Sequence, residues 1–254
     1  MNPLALLAAL MLTVIVSATA AEKDPSIYIL STITPKAGKA DALHAVLKDQ
    51  LIPRFTKLGV TNLAVLVPVD TTDQHIFTLS SMPSQAAADK VQAAIKEDAE
   101  LLATLRPMGG LEDETKREPS RVMMATDFSP MVKTGPGKDA RVFELRTYTA
   151  TPGNLPLLHA RFRDHTLALF AKHWMTNLWY WQPVPQQNDA DRTLVYLLAH
   201  ASVDAAKASF DAFRTDPDWI AAKAASEEKG GGSLTVPDGV KSVFLKATDY
   251  SPLK

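Results

Sequence analysis

The feature that most constrains this chain is that it is written twice. Residues 27–69, "IYILSTITPKAGKADALHAVLKDQLIPRFTKLGVTNLAVLVPV", lie without a gap on 142–184, "VFELRTYTATPGNLPLLHARFRDHTLALFAKHWMTNLWYWQPV". Identical residues recur along the match, among them Leu30, Gly38, His44, Asp49, Phe55, Lys57, Asn62 and Pro68 of the first copy. After a small shift, "DQHIFTLSSMPS" at 73–84 lies on "DRTLVYLLAHAS" at 191–202, and "KEDAEL" at 96–101 on "RTDPDW" at 214–219. "ATDFSPM" at 125–131 and "ATDYSPL" at 247–253 close the two copies. Such long-range self-similarity reads as an internal duplication and imposes one fold on both halves.

Each copy carries the same run of elements. Residues 142–150 alternate, with Phe143 and Leu145 on one side and Glu144, Arg146 and Tyr148 on the other, the period of a strand. Pro152-Gly153 turns the chain, and Leu155, Leu158, Phe162 and Leu169 then recur at helical spacing. "NLWYWQPV" and "RTLVYLLAH" read as strands. The helix opening at Ser202 is interrupted near Pro217, and "KSVFLKATDY" is the last strand. The order β-α-β-β-α-β is the ferredoxin-like unit. The expected fold is therefore α+β: two tandem ferredoxin-like (βαββαβ) halves forming a dimeric-α/β-barrel-type fold. A unit with helices on one sheet face must cover the other, and two units in one chain can cover each other.

The expected boundaries are a signal peptide at 1–20, an N-terminal half at 26–130, a linker at 131–141 and a C-terminal domain at 142–253. "LALLAALMLTVIV" is short for a bilayer span, and "SATA" offers the small residues of a cleavage site after Ala20. "MNP" lacks the basic residue of a standard n-region, so a retained anchor is the alternative. A secreted or periplasmic location follows from the first reading. The chain has no Cys, which removes disulfides, thiol nucleophiles and Cys-ligated metals. Its formal net charge of −1 gives no electrostatic reason to expect a nucleic-acid partner. "GPGK" in the linker lacks Walker spacing.

Candidate chemistry concentrates in the second copy. His165, His173 and His200 stand where the first copy has Gln50, Leu58 and Met82. His165 falls on the apolar stripe and is expected to look inward. The expected pocket lies between sheet and helices, lined by His165, His173, Asn177, Tyr180, Trp181 and His200, with Arg163 nearby. Imidazole and guanidinium suit an anionic or aromatic small molecule, and a histidine suits general-base work. The competing reading has the inward histidines hydrogen-bonded in the core and His173 capping a helix C-terminus. His165 and His173 are too far apart along one helix to share an ion, and HExxH is absent, so no metal is expected. His44 and His159, on a helix flank near charges, are expected to face solvent. Glu144 and Arg146 read as a structural pair, and "DPDW" as a helix break anchored by Trp219.

The second half, through "FELRTYTATPGNLPLLHARFRDHTLALFAKHWMTNLWYW", "LVYLLAH", "DPDW" and "TDYSP", resembles the NIPSNAP family. The likeness spans 142–252 and is diluted over 27–130. It implies the dimeric α/β-barrel fold and an exported bacterial type with two tandem domains, but no agreed reaction, some relatives being trafficking or interaction proteins. Trp174 departs from the family by standing where Gly is usual, and Trp179 where a small residue is common. A pocket near them is expected to be partly filled. The leading expectation is an exported binding protein with its site in the C-terminal half, without cofactor or metal. It has no nucleic-acid partner and no membrane contact after cleavage, and its partners are a small molecule or further copies of itself. The rival is an enzyme resembling the cofactor-independent monooxygenases or isomerases of related barrels, with His165 or His200 as base. An interaction module using its outer helices is the third reading.

Overall fold

The computed structural model describes residues 26–108, 120–132 and 141–254. The leader at 1–20 and most of the linker, with its "GPGK", lie outside the described residues.

The first half runs β1 (Ile27–Ile33), α1 (Ala40–Val46), a π turn (Leu47–Leu51), α2 (Ile52–Lys57), β2 (Thr61–Pro68), β3 (Ile76–Met82), α3 (Gln85–Glu97), α4 (Ala99–Leu105) and β4 (Arg121–Ala125). The second repeats the order as β5 (Val142–Ala150), α5 (Leu155–Arg161), a π turn (Phe162–Thr166), α6 (Leu167–Lys172), β6 (Thr176–Pro183), β7 (Thr193–His200), α7 (Val203–Arg214), α8 (Pro217–Lys229) and β8 (Thr235–Ala247). Ser84 and Ser202 cap α3 and α7 by accepting the N–H of Ala87 and Ala205, and Asp98 and Asp216 cap α4 and α8. The break at Pro217 falls where the sequence places it. The final strand starts earlier than "KSVFLKATDY": Val240 and Thr235 already pair with Tyr148 and Ala150 of β5, across a register shift.

Within each half the strands order β4-β1-β3-β2 and β8-β5-β7-β6. The halves then join at their edges, β2 to β8 and β4 to β6, and close an eight-stranded antiparallel barrel. Closure removes both sheet edges as well as covering the open faces. Alternation sets what lies inside. Phe143 and Leu145 of β5, Val195 and Leu197 of β7, and Leu245 of β8 pack inward with Met123, Leu79, Trp179 and Trp181. Tyr180, Leu194, Tyr196 and Leu198 face outward under the helices, where Phe162, Phe170, Phe210 and Phe213 cover them. No helix among the described residues is long and apolar enough to cross a membrane.

The two closing motifs do more than end strands. Each crosses to the other half. Thr126 N–H and Oγ1 donate to the Tyr180 carbonyl, and the Ser129 hydroxyl accepts the Tyr180 N–H. Thr248 and Ser251 make the same three bonds with Val65. Asp127 takes Arg163, and Asp249 takes Lys48. Phe128 packs edge-on against His159, and Tyr250 against His44. Val65 and Tyr180, Lys48 and Arg163, and His44 and His159 are all equivalent in the ungapped match, so the same clasp is built twice.

Candidate functional site

The polar residues that the sequence assigns to one pocket occupy separate places. Trp181 and Tyr180 are neighbours on β6 and therefore point to opposite faces of the sheet. Trp181 lies in the barrel interior, stacked on Trp179 with centroids 5.8 Å apart. Tyr180 lies beneath the helices, stacked on Tyr196 at 5.1 Å, and its hydroxyl donates to Asn177 Oδ1 at 2.5 Å. Asn177 in turn donates to the Leu167 carbonyl at 2.9 Å, so it ties the bulged start of β6 to α6. These two side chains support the helix. They are not open to a ligand.

His165 is exposed, contrary to the inward expectation. The π turn at Phe162–Thr166 changes the helix phase, and Thr166 takes the inward position, its hydroxyl donating to the Arg161 carbonyl five residues back. Arg163 is also outside, gripping Asp127 through Nε and Nη2 at 2.9 and 2.7 Å. His159 shows the reverse error. Half-buried beside Phe128, it has its Nε2 enclosed without a hydrogen-bond partner. Burial, and secondarily Arg163, push its imidazole down to about 4. His44 is likewise half-buried rather than solvent-facing, against Tyr250.

His173 ends α6 and donates Nε2–H to Asp216 Oδ2 at 2.6 Å. Lys172 reaches the same carboxylate at 2.8 Å. Lys172 first, and His173 second, hold the buried Asp216 carboxyl well below the usual range. "DPDW" is thus a helix cap neutralised from the neighbouring helix, with Trp219 packed on Phe213 at 4.4 Å.

His200 lies under α7 and is 3 % exposed, donating Nε2–H to Glu144 Oε2 at 3.1 Å while its Nδ1 is enclosed without a partner. Glu144 also meets Arg146 and accepts the Ser242 hydroxyl at 2.5 Å. Arg146 continues to the Tyr196 hydroxyl at 2.9 Å and lies over the Phe210 ring at 4.6 Å. Burial alone would raise the Glu144 carboxyl, but His200, Arg146 and Ser242 outweigh it and hold it low. Sequence reasoning assigned Glu144 and Arg146 a structural role but missed His200 as their third member. The signal was its position on the same outer face, one strand away.

Among the described residues the barrel interior is closely packed. Its cavity measures about 10 Å³, about what one water needs, and is lined by apolar side chains such as Leu30, Phe77, Leu145 and Trp181. Trp179, where the family resemblance implies a smaller residue, is buried in the same core beside Trp181. A larger cavity of about 280 Å³ lies outside the barrel in the first half, between α2 and the α3–α4 pair. No group of three His, Asp or Glu is placed to hold a metal among the described residues.

Residues 143–252 match the family model described as NIPSNAP. The C-terminal half is a NIPSNAP domain. No curated protein matches the chain. Over most of its length the fold is similar to a candidate monooxygenase of Fusobacterium nucleatum, with TM-score 0.58 and 11% identity over 88% of this chain and 93% of that one. A candidate monooxygenase of Lactobacillus acidophilus superposes with TM-score 0.52 and 12% identity, over 90% and 98%. An anthrone oxidase-like protein gives 0.53 and 13%, over 89% and 92%. At these identities the likeness is one of fold. The NIPSNAP domain and the half that precedes it together form the closed barrel.

Trp174 is a large residue of the NIPSNAP domain that packing does not explain. It is 89% exposed, follows the last turn of α6, and has φ 63. The equivalent residue of the first half is Gly59, with φ 87. This is the left-handed position that ends many helices, where glycine is the ordinary choice and a bulky side chain is strained.

Proposed function

We propose that this chain is an exported NIPSNAP-domain protein that acts by binding a protein partner through the end of α6 in its C-terminal half, with Trp174 as the anchor. The observation that carries the reading is Trp174 itself: a large aromatic held in the left-handed region and projecting into solvent. Backbone strain of this kind persists at sites of function, and tryptophan dominates binding energies at interfaces. The surroundings suit a rim of mixed charge, with Lys172, Asp218 and the exposed Ile220 on the same and the adjoining helix. The histidines favour the same conclusion. His200 and His173 are engaged by carboxylates, and His165 stands alone in solvent. None of the three lines either cavity described above.

Export rests on the apolar leader and the small residues before Ala21, and amino-terminal sequencing of the mature protein tests it. The partner reading is tested by a photo-crosslinking residue at Ala171 in the producing cell, in the Trp174 and Trp174→Gly backgrounds. A discrete adduct that Trp174→Gly removes is expected. An adduct indifferent to that change, or none at all, sinks the proposal.

A further inference from the structure

The 280 Å³ cavity in the first half has a counterpart in the second, and the difference between them identifies an occupant. Its walls include Phe55, Leu58, Ile95 and Leu101, with Arg54, Lys57 and Asp98 at its polar side. The equivalent residues of the NIPSNAP domain are Phe170, His173, Phe213 and Trp219, with Leu169, Lys172 and Asp216. There the space is closed by rings: Phe170 meets Phe213 at 4.9 Å, and Phe213 meets the Trp219 indole at 4.4 Å. In the first half Ile95 and Leu101 replace the second and third of those rings, and the volume stays open.

The charges differ in the same direction. In the second half Asp216 binds both Lys172 and His173, and Asp218 gives Lys172 a further acid. In the first half Asp98 is engaged by Arg54 and caps α4 through the Leu101 N–H. Leu58 replaces the histidine, and Lys57 has no ionic partner among the described residues. Arg54, Lys57 and Asp98 together leave one positive charge beside a ring-sized apolar space.

We infer that this groove is a binding site for a small aromatic carboxylate, the ring taking the place that Phe213 and Trp219 fill in the other half and the carboxylate meeting Lys57. Its size is near the lower limit of small-molecule sites, enough for a bicyclic ring. This site is independent of Trp174 and of any partner bound there.

Calorimetric titration of the mature protein with 2-naphthoate, and with the uncharged 2-naphthylmethanol, tests the assignment. Wild type should bind naphthoate, and Leu101→Trp, which installs the residue of the other half, should abolish binding. Ile95→Phe serves the same purpose if Leu101→Trp fails to fold. Lys57→Gln should weaken naphthoate about tenfold and leave the alcohol unchanged, the loss of one charge-assisted contact. No binding to wild type, or undiminished binding to the filled variants, overturns the site. Equal affinity for acid and alcohol overturns the carboxylate. A concentration-dependent dimer that Leu101→Trp dissolves would give the groove to a second copy and overturn the small ligand.

Discussion

The Tyr250 hydroxyl lies 2.6 Å from His44 Nδ1, joining residues 206 positions apart. Burial lowers the His44 pKa against the pull of Asp41 and Asp249, and the imidazole tautomer sets which of the two groups donates. Tyr250 belongs to the last residues of the second half, and His44 to the first helix of the first. Their counterparts, Phe128 and His159, repeat the contact in the opposite direction without the hydroxyl. A barrel closed only by the β2–β8 and β4–β6 seams would rest on three paired residues at each. The crossing motifs add backbone, hydroxyl and ionic contacts beyond both seams.

The hydroxyl at the centre of each clasp should therefore matter more than its surface-loop appearance suggests. Ser251 Oγ is buried, accepts the Val65 N–H at 3.0 Å and donates to the Leu253 carbonyl at 2.9 Å. Ser251→Ala leaves a buried N–H unpaired, and urea unfolding should show a loss of about 1–3 kcal/mol. Tyr250→Phe, which copies Phe128, should lose about 1 kcal/mol. A Ser251→Ala variant as stable as wild type would show that the clasp does not hold the halves together.

The His159 ring makes stability depend on pH. Its folded pKa, about 4, lies below the ordinary 6.5. The unfolded chain therefore binds the proton first as pH falls, and stability drops between about pH 6.5 and 4. Arg163 opposes protonation of the ring and Asp127 favours it. Allowing for residual solvent at the ring, the loss is on the order of 1–2 kcal/mol. His159→Phe should flatten this part of a curve of unfolding free energy against pH. An unchanged slope would place the effect elsewhere.

Much of this architecture was legible in the sequence because periodicity reports it directly. The alternation of Phe143, Glu144, Leu145 and Arg146 gives the strand and its two faces. The candidate site was read poorly for local reasons. A π turn is invisible to a 3.6-residue stripe, so His165 was turned inward when Thr166 holds that place. A single pocket lined by both Tyr180 and Trp181 conflicts with the period of two, which sends them to opposite faces. His159 was taken as solvent-facing because Phe128, which covers it, comes from the other half. Contacts between halves have no signature within either.

Glu144 should be the costliest polar residue to remove. It is 1 % exposed and joins His200, Arg146 and Ser242. Glu144→Ala strands the Arg146 charge beneath α7, and removal of one partner from such a pair costs about 3–5 kcal/mol. The double variant Glu144→Leu with Arg146→Met removes both charges and should recover much of that loss. Chemical denaturation of the three proteins decides the matter. A double variant no more stable than Glu144→Ala would mean that the network contributes through something other than paired charge.

Trp174 sets the stability of the NIPSNAP domain against its proposed use. A non-glycine residue in the left-handed region costs about 1–2 kcal/mol, and glycine regains part of this after its own entropic penalty. Trp174→Gly should therefore raise unfolding free energy by about 0.5–1 kcal/mol. Trp174→Ala keeps the strain and should gain nothing. The reciprocal change at Gly59 isolates the backbone contribution, because a Cβ there meets no atom within 4 Å. Gly59→Ala should lose about 1 kcal/mol through φ 87 alone. If Trp174→Gly instead destabilises the protein, the indole contributes packing and is not a strained residue kept for a partner.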